Sequence, residues 1–172
     1  MPSGDACDKP RKRVGPRLSG YRPEARDVAE PAHEMARQLL AFWKSRSSNG
    51  QLLTREEIPA HEIAHLMGYL YLASPVDEKG SDWQYRLSGE ALKERFGGTP
   101  VGYTTSQSLD PEHAAKGVRQ FCSIAASRTP RIMRGRFLGV GRDFYDVEVV
   151  HLPILGSDKR TVWVLGGIFF FN

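Results

Sequence analysis

This 172-residue sequence has only two cysteines, and they lie far apart in unlike surroundings. Cys7 belongs to a polar leader and Cys122 to an apolar helical pattern, so we expect two free thiols in a reducing compartment. The longest apolar runs, 66–73 and 162–171, fall well short of the roughly 18 residues that a membrane-spanning helix needs. The basic start of the chain is not followed by the apolar segment of a secretory signal. We therefore expect a cytoplasmic protein without a membrane span.

Catalytic motifs are also scarce. The sequence contains no G-x-S-x-G, no C-x-x-C, and no glycine loop with the spacing and context that bind phosphate. His33, His113 and His151 have no partner that their spacing would suggest. These absences favour a binding protein over an enzyme.

One motif does suggest an enzyme. His61 and His65 frame Glu62 in H-E-x-x-H, which on a helix presents two imidazoles to zinc and a glutamate as general base. Gly68 fits the longer metzincin pattern, but Tyr71 stands where that pattern requires a third ligand. The apolar alternation that follows favours a strand, which would end the helical ligand face soon after His65. A zinc-dependent hydrolase is therefore the alternative hypothesis, and no metal is our main expectation.

The positive charge is concentrated near the start of the chain. The net charge is +4 and the isoelectric point about 9.2, with much of the excess in residues 1–30. This segment is rich in Pro, Gly and Ser and has few residues to bury, so the composition predicts a disordered basic tail. Tyr21 is the one aromatic residue among these basic ones, which is too few to form a stacking platform for bases, so we do not expect nucleic acid as a partner.

Hydrophobic periodicity predicts three helices and five strands in one domain, 31–172. The first helix has an apolar stripe of Met35, Leu39, Phe42 and Trp43, and Asp110-Pro111 is a strong start for the last helix. Glycine-containing turns separate the final strands, which indicates consecutive hairpins. In chain order the elements are helix 31–48, strands 69–76 and 82–87, helices 91–96 and 110–127, and strands 131–140, 144–152 and 161–171.

The segment 82–102 and the order of the elements resemble a PAS domain. The strand end reads Tyr-Arg-Leu-Ser-Gly at 85–89, and the following helix ends in Phe96-Gly97 before Gly102, as in a branch of short bacterial PAS-like proteins. The resemblance covers roughly residue 39 to the C-terminus. It implies an α+β fold, with a five-stranded antiparallel sheet, helices on one face, and an N-terminal helix that caps the sheet or forms a homodimer. A plain core helix is the other interpretation of 31–48.

The resemblance also implies a function. PAS relatives are sensors, so we expect a stand-alone sensory or regulatory domain in signal transduction, binding a small ligand or a protein partner without an attached output domain. The surroundings of Cys122 do not match the cysteine motif of flavin-binding relatives, and His113 lies earlier on its helix than the ligand of haem sensors. We therefore expect no cofactor.

In this family the ligand cavity lies between the sheet and the central helices. Strand alternation and position suggest which residues line it, and an arginine, Arg134 or Arg136, could add a charged donor. The alternative is that the aromatic side chains simply fill a core. The candidates are Tyr85, Leu87, Phe96, Tyr103, Phe121, Met133, Arg134 and Phe137.

Overall fold

Six antiparallel strands form one sheet in the computed structural model, which describes residues 24–48, 50–59, 61–138 and 144–171. Two short 3₁₀ helices, Arg55–Glu57 and Ala64–Tyr69, precede the second strand. The other elements are β1 (Glu24–Asp27), α1 (Glu34–Arg46), β2 (Leu70–Pro75), β3 (Trp83–Ser88), α2 (Glu90–Phe96), α3 (Thr105–Ser108), α4 (Pro111–Ser127), β4 (Arg131–Leu138), β5 (Phe144–Leu155) and β6 (Val162–Phe170).

The C-terminal strands close against the β2–β3 hairpin. The spatial order is β1-β4-β5-β6-β2-β3, so β6, the last strand in sequence, pairs with β2 in the middle of the sheet. Helices α2, α3 and α4 lie in the chain between the hairpin and the three final strands. This is the arrangement that the resemblance implied, and the α+β architecture is consistent with a PAS-like fold.

The sheet has one strand more than the five that the sequence predicted. β1 falls within the segment 1–30 that was predicted to be disordered, and it pairs with the outer edge of β4. The prediction from composition was wrong for β1, because β1 is held by main-chain hydrogen bonds to an open sheet edge, which amino-acid composition does not reveal. An ion pair between Asp27 Oδ1 and Arg131 Nε, 2.8 Å long, adds to it, and the hydrogen bond from Arg131 lowers the pKa of Asp27. Residues 1–23 of the predicted tail lie outside the described residues.

Helix α1 covers one face of the sheet. The His33 side chain caps it by accepting a hydrogen bond from the backbone N–H of Met35. The indole N–H of Trp43 donates to the carbonyl oxygen of Pro153 at 2.8 Å, which ties the helix to β5. The apolar stripe of α1 is thus buried against the sheet of its own chain. We call this side the α1 face; its core includes Leu39, Trp43, Leu72, Leu152, Ile154 and Leu165.

Helices α2 and α4 pack on the opposite face. As the sequence predicted, α4 begins with Pro111 after Asp110, whose side chain accepts a hydrogen bond from the backbone N–H of His113. Aromatic rings are more numerous on this side than on the other. We call it the α4 face; its core includes Trp83, Leu92, Phe121, Met133, Phe137 and Val149.

Among the described helices, none has the length and hydropathy that crossing a bilayer demands.

Candidate ligand cavity

A cavity of about 100 Å³ lies between helices α2 and α4 and the α4 face of the sheet. Apolar and aromatic side chains form most of its wall, and β1 adds Ala25 at its edge. The loop between α2 and α4 contributes Gly98, Pro100 and Leu109. The polar lining side chains are Tyr71, Tyr85, Ser88, His113, Lys116, Gln120 and His151.

Most of the predicted pocket residues meet in this cavity. The structure brings together two aromatic residues from the helices with three side chains from the strands. The ordinary periodicity of each helix or strand is enough to turn these side chains toward the cavity. Whether they contact a ligand stays a prediction. They are Tyr85, Phe96, Phe121, Met133 and Phe137.

Leu87 lies on the other side of the sheet. Strict alternation would place it beside Tyr85, but the register between β2 and β3 shifts, so that Leu72 pairs with Leu87 while Ala73 pairs with Tyr85. Arg86 is therefore the extra residue of a β-bulge, and the residue after it changes face. Leu87 packs with the core of the α1 face, and its placement in the cavity was wrong.

Arg134 and Tyr103 also lie outside the cavity lining. Arg134 alternates with Met133 along β4, so it projects from the α1 face, where its guanidinium binds the carboxylate of Glu148 at 2.8 Å. Tyr103 contacts the lining residue Tyr85 through the backbone, because its carbonyl oxygen accepts a hydrogen bond from the backbone N–H of Tyr85. Neither side chain is a lining donor in this structure.

Sequence reasoning missed a buried polar pair in the cavity wall. The hydroxyl of Tyr71 and Nε2 of His151 form a hydrogen bond, and both side chains are more than nine-tenths buried. The two residues flank Gly166 in one row across three strands, because Gly166 pairs with Tyr71 on one side and with His151 on the other. A Cβ on Gly166 would overlap the Tyr71 ring. The missing side chain therefore lets Tyr71 lie across β6 and reach His151.

His151 is held neutral by its surroundings. Burial, together with the smaller effect of the positive charge of Arg131, its neighbour on β4, lowers its pKa to about 3. Its Nδ1 atom is buried and has no hydrogen-bond partner among the described residues. Leaving such a nitrogen unpaired costs about 1–3 kcal/mol, so His151 carries one uncompensated buried polar atom.

The other end of the cavity reaches the protein surface along α4. His113, Lys116 and Gln120 follow one another at intervals of three and four residues, which places them on the same side of the helix. Lys116 is exposed, whereas Phe121, five residues further along the helix, is buried. The cavity is thus a passage from a polar opening to an aromatic interior.

The H-E-x-x-H segment does not lie on an α-helix. Residues 61–63 form a turn, and the 3₁₀ helix follows. Glu62 forms an ion pair with Arg46 at 2.6 Å, and Nε2 of His65 bonds the side-chain oxygen of Gln38 at 2.7 Å. Within the described ranges, no group of three or more His, Cys, Asp or Glu side chains could hold a metal ion. The helical geometry that the zinc hypothesis required is contradicted.

Comparison with known proteins adds little to these observations. No family model and no curated protein matches the sequence. Among solved structures, an RNA-binding light-oxygen-voltage receptor is similar at a TM-score of 0.46 and 13% sequence identity. The similarity covers 87% of this chain and 39% of the receptor chain, so this chain spans about two fifths of the receptor's length. The PAS-like fold therefore rests on the strand order and on the position of the helices.

Proposed function

We propose that this chain is a PAS-like sensory or regulatory domain that binds a small molecule in the cavity between α4 and the sheet. The observation that carries the proposal is an aromatic-lined cavity of about 100 Å³ with a buried tyrosine and histidine at one end. Protein interiors are otherwise close-packed. Apolar walls with a few placed polar groups are the usual composition of small-molecule sites.

The volume of the cavity limits the ligand. An apolar protein cavity of roughly 150 Å³ holds a benzene molecule, so the enclosed part of this one suits a body of about six heavy atoms or fewer. Larger ligands would have to extend through the opening beside α4. Flavin and haem are larger than the enclosed part of the cavity, and the absence of a cofactor stays a prediction.

Strand β5 offers a route by which occupancy of the cavity would reach α1. His151 lines the cavity, while Glu148 on the same strand is fully buried on the α1 face. The Glu148 carboxylate accepts hydrogen bonds of 2.9 Å from the backbone N–H groups of Ala32 and His33, directly before α1. A ligand would shift this helix only through a difference in its affinity for two states of the domain. A protein partner whose binding depends on the position of α1 would then receive the signal.

Homodimerisation, a signalling partner, a cytoplasmic location and the lack of catalytic activity stay predictions. The predicted dimer helix buries its apolar stripe in its own chain, so a dimer would use other surfaces. Phe144 and Phe171, which are 62% and 41% exposed, are candidates on the sheet. Native mass spectrometry of the purified protein would separate monomer from dimer and detect a co-purified small molecule.

Two substitutions on strand β6 test the proposal. Ile168→Phe adds ring volume to the cavity, whereas Leu165→Phe adds similar volume to the α1 face of the same strand. We expect ligand-observed NMR to find fragments that bind the unmodified protein and the Leu165→Phe variant but not Ile168→Phe. Circular dichroism establishes that each variant is folded. Unchanged fragment binding by Ile168→Phe, or no fragment binding by the unmodified protein, would contradict the proposal.

A further inference from the structure

The two ends of the cavity differ in charge, and the difference bears on the kind of ligand. No aspartate or glutamate is among the described residues that line it, whereas Lys116 and His113 line its opening. We infer that the ligand is a small amphiphile with one carboxylate, whose apolar body enters the aromatic interior and whose carboxylate meets Lys116. This inference rests on the proposed function, since it presupposes that the cavity binds a small molecule.

The interior accepts an apolar group and excludes a charged one. Phe96 and Phe137 lie with ring centroids 6.1 Å apart, and Phe121 contacts His151 with centroids at 5.5 Å. An ionised group buried here without a partner would pay a large desolvation cost. His151 cannot supply the compensating charge, because its imidazole is neutral at physiological pH. A charged ligand group therefore belongs at the opening.

Lys116 is the available cation at that opening. It forms no ion pair with any carboxylate of the described residues, although Glu112 lies one turn earlier on α4. His113 is already bonded through Nδ1 to Asp110.

The arginines near the opening do not line the cavity. Arg134 binds Glu148 and Arg136 binds Asp146, and Arg26 borders the adjoining surface, so Lys116 is the one lysine or arginine in the described lining of the cavity. One lysine matches one singly charged carboxylate, whereas a phosphate dianion would call for a bidentate arginine or clustered donors, which the described lining lacks.

Two pairs of isosteric probes test the inference. Benzoate and hexanoate carry the carboxylate, while benzamide and hexanamide keep the shape without the charge. We expect titration calorimetry at low ionic strength to give about tenfold tighter binding for each carboxylate than for its amide, as a charge-assisted hydrogen bond to Lys116 predicts. The preference should decline as salt is added, because the opening is exposed to solvent.

Substitutions on α4 assign the preference to Lys116. Lys116→Gln should reduce carboxylate binding about tenfold to the level of the amides and leave amide binding unchanged. Lys116→Arg should retain the preference. Arg119→Gln removes an exposed charge from the same helix outside the cavity and should change neither.

Three results would overturn the inference. Equal binding of benzoate and benzamide by the unmodified protein would make the cavity a site for neutral ligands. A preference that persists in Lys116→Gln would place the anion-binding group elsewhere. Failure of all four probes would rule out short carboxylates, and the Ile168→Phe and Leu165→Phe comparison would then decide separately whether the cavity binds any fragment.

Discussion

Alternate residues of the same strands form the two faces of the sheet, and the two faces are packed differently. On the α1 face, mostly aliphatic side chains pack against α1, and Glu148, the one buried carboxylate among the described residues, accepts hydrogen bonds from two backbone N–H groups and an arginine. On the α4 face, aromatic side chains leave a cavity, and His151 keeps one ring nitrogen unpaired among the described residues. A buried polar group with all its hydrogen bonds stabilises the packing around it, whereas an unpaired buried polar atom destabilises it.

The largest effect should come from Glu148→Ala on the α1 face. The substitution leaves Arg134 and the start of α1 without their partner, and we expect a loss of about 3 kcal/mol in the free energy of unfolding, measured with urea. Asp146→Ala is the matched control, because Asp146 lies on the same strand and pairs with Arg136 at the surface. That control should cost less than about 1 kcal/mol. Equal losses for the two variants would refute the anchoring role of Glu148.

Gly166→Ala should have the next largest effect, on the α4 face. The new Cβ overlaps the Tyr71 ring, so the ring must move away and release His151. Overpacking of this kind costs about 1–3 kcal/mol, again measured by urea unfolding. Gly68→Ala is the control, because a Cβ there would make an ordinary 3.6 Å contact with Ala91. A Gly166→Ala variant as stable as Gly68→Ala would show that Tyr71 does not need this space.

The smallest effect at neutral pH should come from removing the polar pair entirely. Tyr71→Phe combined with His151→Phe removes both partners, and replacing both members of a buried pair by apolar groups changes stability by about 1 kcal/mol or less. The stability of the double variant and that of Tyr71→Phe alone should, however, depend differently on pH. The folded-state pKa of His151 is lowered from 6.5 to about 3, so its contribution to stability is complete above pH 6.5 and declines as the pH falls toward 3.

The double variant should therefore lose less stability between pH 7.5 and about 5 than Tyr71→Phe alone, which keeps the titrating imidazole. Urea midpoints at both pH values measure the difference. Parallel pH profiles for the two variants would mean that His151 is not held neutral in the folded protein.

Much of the difference between the two faces could be predicted from the sequence, because helical and strand periodicity decides which side chains lie on each face. The stripes of α1 and α4 and the alternation of β4 assign Trp43, Phe121, Met133 and Phe137 to their faces correctly. These elements are long, and each repeats its pattern several times. The aromatic composition of the cavity was predictable for the same reason.

The features that escaped prediction all depend on contacts between distant segments. β1 has little apolar surface and exists because β4 offers an unpaired edge. The bulge at Arg86 moves Leu87 to the other face, and a single residue without a partner leaves no periodic signal. Tyr71 and His151 meet only when β6 lies between their strands. A histidine within the otherwise apolar run 149–155 of β5, with glycines on another strand, was the signal available for that pair.

Xenon binding tests the central claim most directly, because xenon enters apolar protein cavities without any polar recognition. In crystals pressurised with xenon, the account predicts density on the α4 face among Phe121, Met133 and Phe137, and none among Leu39, Leu152 and Leu165 on the α1 face. Xenon on the α1 face, or on neither face, would contradict the distinction between a closed face and an open one.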